Sequence, residues 1–150
     1  MLIAKDVLLK KTITHSLFDK RNIQDHDVTL VKTIVSPACD ITNGKLLINN
    51  KGHLLHRVVY AIILDASFLS SKSPGNTQWY YQFGPFVWDK RIVRMHFHLG
   101  TLSSEFISDK TKSSCFTLKQ EIVFDLQSKI ANHVNRLGVS LLELELKKKR

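Results

Sequence analysis

Cys39 and Asp40 stand together directly after Ser36-Pro37-Ala38, where the apolar run Thr33-Ile34-Val35 stops. A thiolate is a nucleophile and a metal ligand, and a carboxylate beside it can orient a histidine. The histidines such a site would use come in two pairs, His53 with His56 and His96 with His98. Together with Cys39 they would offer zinc the four nitrogen or sulfur ligands it takes. The spacing argues otherwise, because no Cys-x-x-Cys is present and His53 follows a turn where polar residues are expected anyway. A free cysteine commonly behaves as a small buried apolar side chain, and an aspartate after Pro-Ala-Cys can accept a turn amide. Ser36, Cys39 and Asp40 are therefore read as a structural turn at a strand exit, and no catalytic residue, metal or cofactor is assigned.

A second constellation is cationic and aromatic. Arg57, Arg91, Arg94, His96 and His98 interleave with Trp79, Tyr80, Tyr81 and Trp88. Cations for phosphates and flat rings for bases are what a single-stranded nucleic-acid surface requires. The competing reading buries the rings, since strands hide one face by default. The formal charge is +9, from 22 basic and 13 acidic residues, and favours an anionic partner. Only Lys147, Lys148, Lys149 and Arg150 form a dense basic cluster, which is either a solvated tail or a nucleic-acid contact.

These groups have to be placed by a framework, and the hydropathy pattern supplies one. At 150 residues the chain fits a single domain, 1–150, with an N-terminal segment 1–26 of undecided structure and the basic tail 147–150. No window is apolar enough to span a membrane and two distant cysteines suggest no disulfide, so a soluble, cytoplasmic protein is expected. Strand patterns run over Val28–Val35, Lys45–Ile48 and Leu54–Leu64, with Asn49-Asn50-Lys51-Gly52 as a hairpin turn between the last two. Val58–Leu64 lacks polar alternation and reads as a central strand covered on both faces. Ser70–Thr77 is a polar loop, and Trp79–Phe83 and Phe86–Trp88 flank Gly84-Pro85. From Arg91 to Leu99 the pattern has period two, with Val93, Met95, Phe97 and Leu99 on one face and Arg94, His96 and His98 on a cationic outer face. Thr101–Ser114 reads as a connector. A helix is expected over 118–137, opened by a Thr117/Gln120 capping box and stopped at Gly138, with the stripe Leu118, Ile122, Leu126, Ile130 and Val134 facing a sheet. Leu142, Leu144 and Leu146 alternate with Glu143 and Glu145 as an edge strand would.

The segment Ile34-Val35-Ser36-Pro37-Ala38-Cys39-Asp40-Ile41, the apolar strand Val58–Leu64, Tyr80-Tyr81 and the helix end Arg136-Leu137-Gly138-Val139 resemble a group of uncharacterised bacterial proteins with a Ser/Thr-x-x-Cys-Asp-Ile signature. That resemblance implies a place in signalling or antiviral defence systems. More distantly, over residues 28–139, the order of a strand ending in Val-Ser-Pro, an apolar strand, a basic strand followed by Gly100-Thr101-Leu102-Ser103, and a closing helix is similar to the MazF/PemK family of toxin-antitoxin ribonucleases, which implies an SH3-like barrel. The chain departs from that family where it has Val31-Lys32-Thr33 in place of an Arg-Pro, and Asp65-Ala66-Ser67 in place of a strand-ending threonine. Arg57 and Ser67 are the substitutes at hand.

The expectation is an α+β domain: a strongly bent antiparallel sheet, an SH3-like barrel being one form of it, packed by one long C-terminal helix. Its function is expected to be a non-catalytic binding or regulatory module of a bacterial multi-component system, with a protein partner and nucleic acid as a further one. The alternative is a metal-independent endoribonuclease, which needs Arg57, Arg94, His96 or His98 to converge with Ser67 or Asp40 in one concave site.

Overall fold

The computed structural model describes residues 8–11, 13–14, 23–37, 39–40, 43–68, 79–108 and 117–148, with Asp25 and residues 136–148 described by backbone alone. The polar loop expected at 70–77 lies outside them.

β1 (Val28–Ile34), β2 (Leu54–Asp65), β3 (Tyr80–Trp88) and β4 (Arg91–Ile107) form one antiparallel sheet in the order β1-β2-β4-β3, and α1 (Gln120–Lys148) follows. The fold is α+β. β1 and β3 are the edges and no ladder joins them, so the sheet is open rather than closed into a barrel. β2 is an inner strand, and every residue from Val58 to Leu64 is buried. Its alternate side chains enter two separate cores. Val59, Ala61 and Ile63 join Val93, Met95, Phe97 and Leu99 of β4 with Leu126 and Ile130 of α1. Val58, Tyr60, Ile62 and Leu64 pack on the other face with Val28 and Ile13. Ile13 belongs to helical turns at 8–11 and 13–14, where the sequence shows no decisive period.

The unbroken apolar run of β2 therefore reflects two covered faces, as parallel-sheet strands more often show. The same covering changes the face expected to be cationic and outward. Arg94, His96 and His98 do lie opposite Val93, Met95 and Phe97, but His96 is 1% exposed and the other two are half-buried.

Four boundaries differ from expectation. Lys45–Ile48 is not a strand: Ile48 makes a single bridge to Leu54, although the turn closes as expected, with Gly52 at φ 76° donating its N–H to the Asn49 carbonyl. Asn49 Oδ1 also accepts the N–H groups of Lys51 and His53, an Asx-type turn. Thr101–Ile107 continues β4 instead of forming a connector. The pairing jumps between Val58 and Tyr60, and the Thr101 hydroxyl accepts the Tyr60 N–H at 3.0 Å while donating to the His98 carbonyl at 2.6 Å, so the ladder resumes beyond an irregularity.

The third concerns the start of α1. Lys119, not Thr117, supplies the carbonyl that accepts the first helical N–H groups, from Ile122 and Val123. The fourth concerns its end, because Leu142, Leu144 and Leu146 lie in α1 rather than in an edge strand. A single interior glycine costs a helix only about 1 kcal/mol, and the leucine, glutamate and lysine residues after Gly138 are strong helix formers. Lysines at its C-terminus also suit the helix dipole. At about 1.5 Å per residue, the 29 residues of α1 span about 43 Å.

Candidate functional site

The exit of β1 is where the sequence concentrates chemistry, and three contacts build it. Val35 donates its N–H to the Arg57 carbonyl at 2.9 Å, continuing the β1–β2 pairing by one step. The buried Ser36 hydroxyl accepts the Arg57 N–H at 2.9 Å and lies 3.3 Å from His56 Nδ1. Gln127 of α1 donates from Nε2 to the Val35 carbonyl at 3.0 Å, tying helix to strand exit. The backbone of Arg57 is thus held on both sides while its side chain remains exposed.

Between this exit and α1 lies a cleft of about 350 Å³. Val35, Leu102, Ile130 and Val134 form its apolar walls, Pro37 closes the strand side, and Arg57, Gln127 and Asn135 are its polar groups. Among the described residues no carboxylate lines it and the Arg57 guanidinium has no acidic partner. Val134, the last residue of the expected stripe, is 47% exposed here, where the stripe outruns the sheet.

Cys39 and Asp40 form part of a short helical turn just beyond Pro37. The Asp40 N–H donates to the Pro37 carbonyl at 3.0 Å and its own carbonyl accepts the Lys45 N–H at 3.0 Å. Cys39 is exposed, with its sulfur 3.8 Å from an Asp40 carboxylate oxygen, which corrects the expectation of a buried apolar thiol. The turn that follows Pro37 leaves this side chain at the surface.

The other candidates lie elsewhere. Arg57 pairs across the ladder with Ser104, whereas His96 pairs with Ile62, five positions along β2 or about 16 Å away, and on the opposite face. Burial and the nearby Arg94 charge hold the His96 imidazole down to about 4, so it is neutral at pH 7. Burial, with a contribution from His133, also lowers His98, whose ring meets Tyr80 edge-on at 5.0 Å and whose Nδ1 accepts the Gly100 N–H. Ser67 sits in the turn after β2, its N–H on the Asp65 carboxylate, beyond the far end of the strand from Arg57. Arg91 is exposed at the β3–β4 hairpin, whose turn residues Asp89 and Lys90 have φ of 49° and 60°. Lys147 and Lys148 end α1, while Lys149 and Arg150 are outside the described residues. Among the described residues no three His, Cys, Asp or Glu side chains gather as metal ligands.

Among the described residues an ionic cluster links β1, β2 and β4. Glu105 receives Lys32 Nζ at 2.6 Å and the Tyr60 hydroxyl at 2.8 Å, and the Lys32 ammonium lies 5.5 Å from the Tyr60 ring centre. Burial opposes the Lys32 charge, but the Glu105 carboxylate prevails and raises its pKa. All its charges are matched, which distinguishes it from the cleft. Compared with protein-family models, curated proteins and solved structures, the chain matches none.

Proposed function

We propose that this chain is a non-catalytic binding module of a multi-component system, and that the cleft between the β1 exit and α1 is where a protein partner docks. The observation that carries this reading is the separation of the groups a nuclease would need. Arg57 faces the α1 side, His96 is buried and neutral on the other face, and Ser67 lies beyond the opposite end of β2. Among the described residues no acid, base and phosphate-binding cation converge, whereas an apolar cleft with a single unmatched cation is present. This supports docking over endoribonuclease chemistry of the MazF/PemK type, and it fits an open sheet better than a closed SH3-like barrel.

A direct test is to incubate labelled single-stranded RNA with the protein in EDTA across a salt series. The expected result is intact RNA, with at most a weak, salt-sensitive affinity that disappears when residues 147–150 are deleted. Cleavage in EDTA, or tight RNA binding that survives the deletion, would reverse the assignment.

A further inference from the structure

We infer that the occupant of the cleft is a short segment of a protein partner that lays apolar side chains along Leu102, Ile130 and Val134 and sets an acidic side chain against Arg57. This rests on the docking reading above and specifies the chemistry of the partner. Three observations lead to it.

The first is charge. Among the described residues Arg57 is the one ionised group in the lining and has no acidic partner, and its backbone is fixed by Ser36 and Val35. A guanidinium whose anchor is already ordered loses little further backbone freedom on pairing, and its fork of donors matches a carboxylate. The second is wall polarity. A nucleic-acid strand would bring a phosphate with every nucleotide and needs a row of cations along its path. This cleft offers one cation among apolar walls, which suits an acidic residue flanked by apolar ones. The third is shape. The α1 side of the cleft is open along the exposed residues Ala131, Val134 and Asn135, so a chain can enter and leave, and the Asn135 amide at the rim can meet a passing backbone. The volume, at the low end of the range of roughly 300–1,000 Å³ for ligand pockets, admits a few anchoring side chains rather than a folded element.

The experiment is selection of a displayed random twelve-residue peptide library on the immobilised protein, followed by affinity measurement of an enriched peptide. The expected enrichment is an Asp or Glu next to large apolar residues. Arg57→Glu and Val134→Lys should each weaken that peptide about tenfold or more, since both remove a central contact. Both positions are exposed, so melting curves should match the parent, and Lys51→Glu, in the hairpin turn outside the cleft lining, controls for net charge. A peptide with its acidic residue changed to lysine should recover binding to the Arg57→Glu variant. If enriched peptides lose affinity with Val134→Lys but are not acidic and ignore Arg57→Glu, the cleft docks a partner and the carboxylate inference is wrong. If nothing is enriched, or neither variant matters, both readings fall.

Discussion

Leu126→Ala should lower the melting temperature by roughly 5 to 15 °C, the equivalent of about 2–5 kcal/mol for a buried leucine in a domain of this size. Leu126 is fully buried and sits in the core that joins α1 to Val59, Ala61, Met95 and Phe97. Truncation there leaves a cavity under the helix that the inner strands β2 and β4 cannot collapse to fill. Val134→Ala, eight residues further on and 47% exposed, should be nearly neutral. Thermal unfolding followed by circular dichroism separates the two, and equal melting temperatures would mean that α1 does not pack as described.

Acid should destabilise the fold by about 3 kcal/mol through His96 alone, taking its shift from 6.5 down to about 4 at 1.36 kcal/mol per pH unit. Below about pH 6.5 the unfolded chain protonates this histidine, while the folded protein resists until about pH 4 because burial and Arg94 disfavour the cation. The unfolded state therefore binds more protons within that window. Stability is complete above it and falls as pH drops through it. His98, lowered by burial and His133, acts in the same direction. Urea unfolding at several pH values between 7 and 4 reads the slope, and His96→Gln should flatten it relative to the parent. Parallel slopes would show that His96 is protonated without opposition in the folded state.

Much of the sheet can be read from the sequence because strand periodicity is a direct consequence of burial. Val58–Leu64 is apolar at every position because both faces are covered, and Arg91–Leu99 alternates because β4 divides its side chains between two differing environments. What alternation does not reveal is that the polar side can be covered as well. The period puts His96 opposite Val93, Met95 and Phe97, but what covers that face comes from residues remote in sequence. The β3–β4 hairpin leaves no turn signal in the sequence, because Asp89-Lys90 lacks the glycine or asparagine that advertises positive φ. β4 outlasts its pattern because the Thr101 hydroxyl carries the ladder past an irregularity. In α1, Gly138 resembles a stop, yet the leucine, glutamate and lysine residues after it outweigh one glycine.

The cleft was legible only in part. Arg57 is a candidate cation on sequence and Ser36-Pro37 marks the strand exit, but Leu102, Gln127 and Asn135 carry no signal of their own. They meet Arg57 only because β2 pairs with β4 and α1 crosses the same face. The sequence shows Val134 completing an apolar stripe, and only the structure shows that it is exposed.

The central claim, that the protein works by docking a partner in this cleft, is tested most directly by mapping amide chemical shifts of the isotope-labelled chain during titration with an acidic, apolar peptide selected on it. The account predicts saturable shifts concentrated at Val35, Arg57, Leu102 and the stretch 127–135, absent in the Val134→Lys protein. Shifts centred on Arg94, His96 and His98, or on the β3–β4 turn, would contradict it.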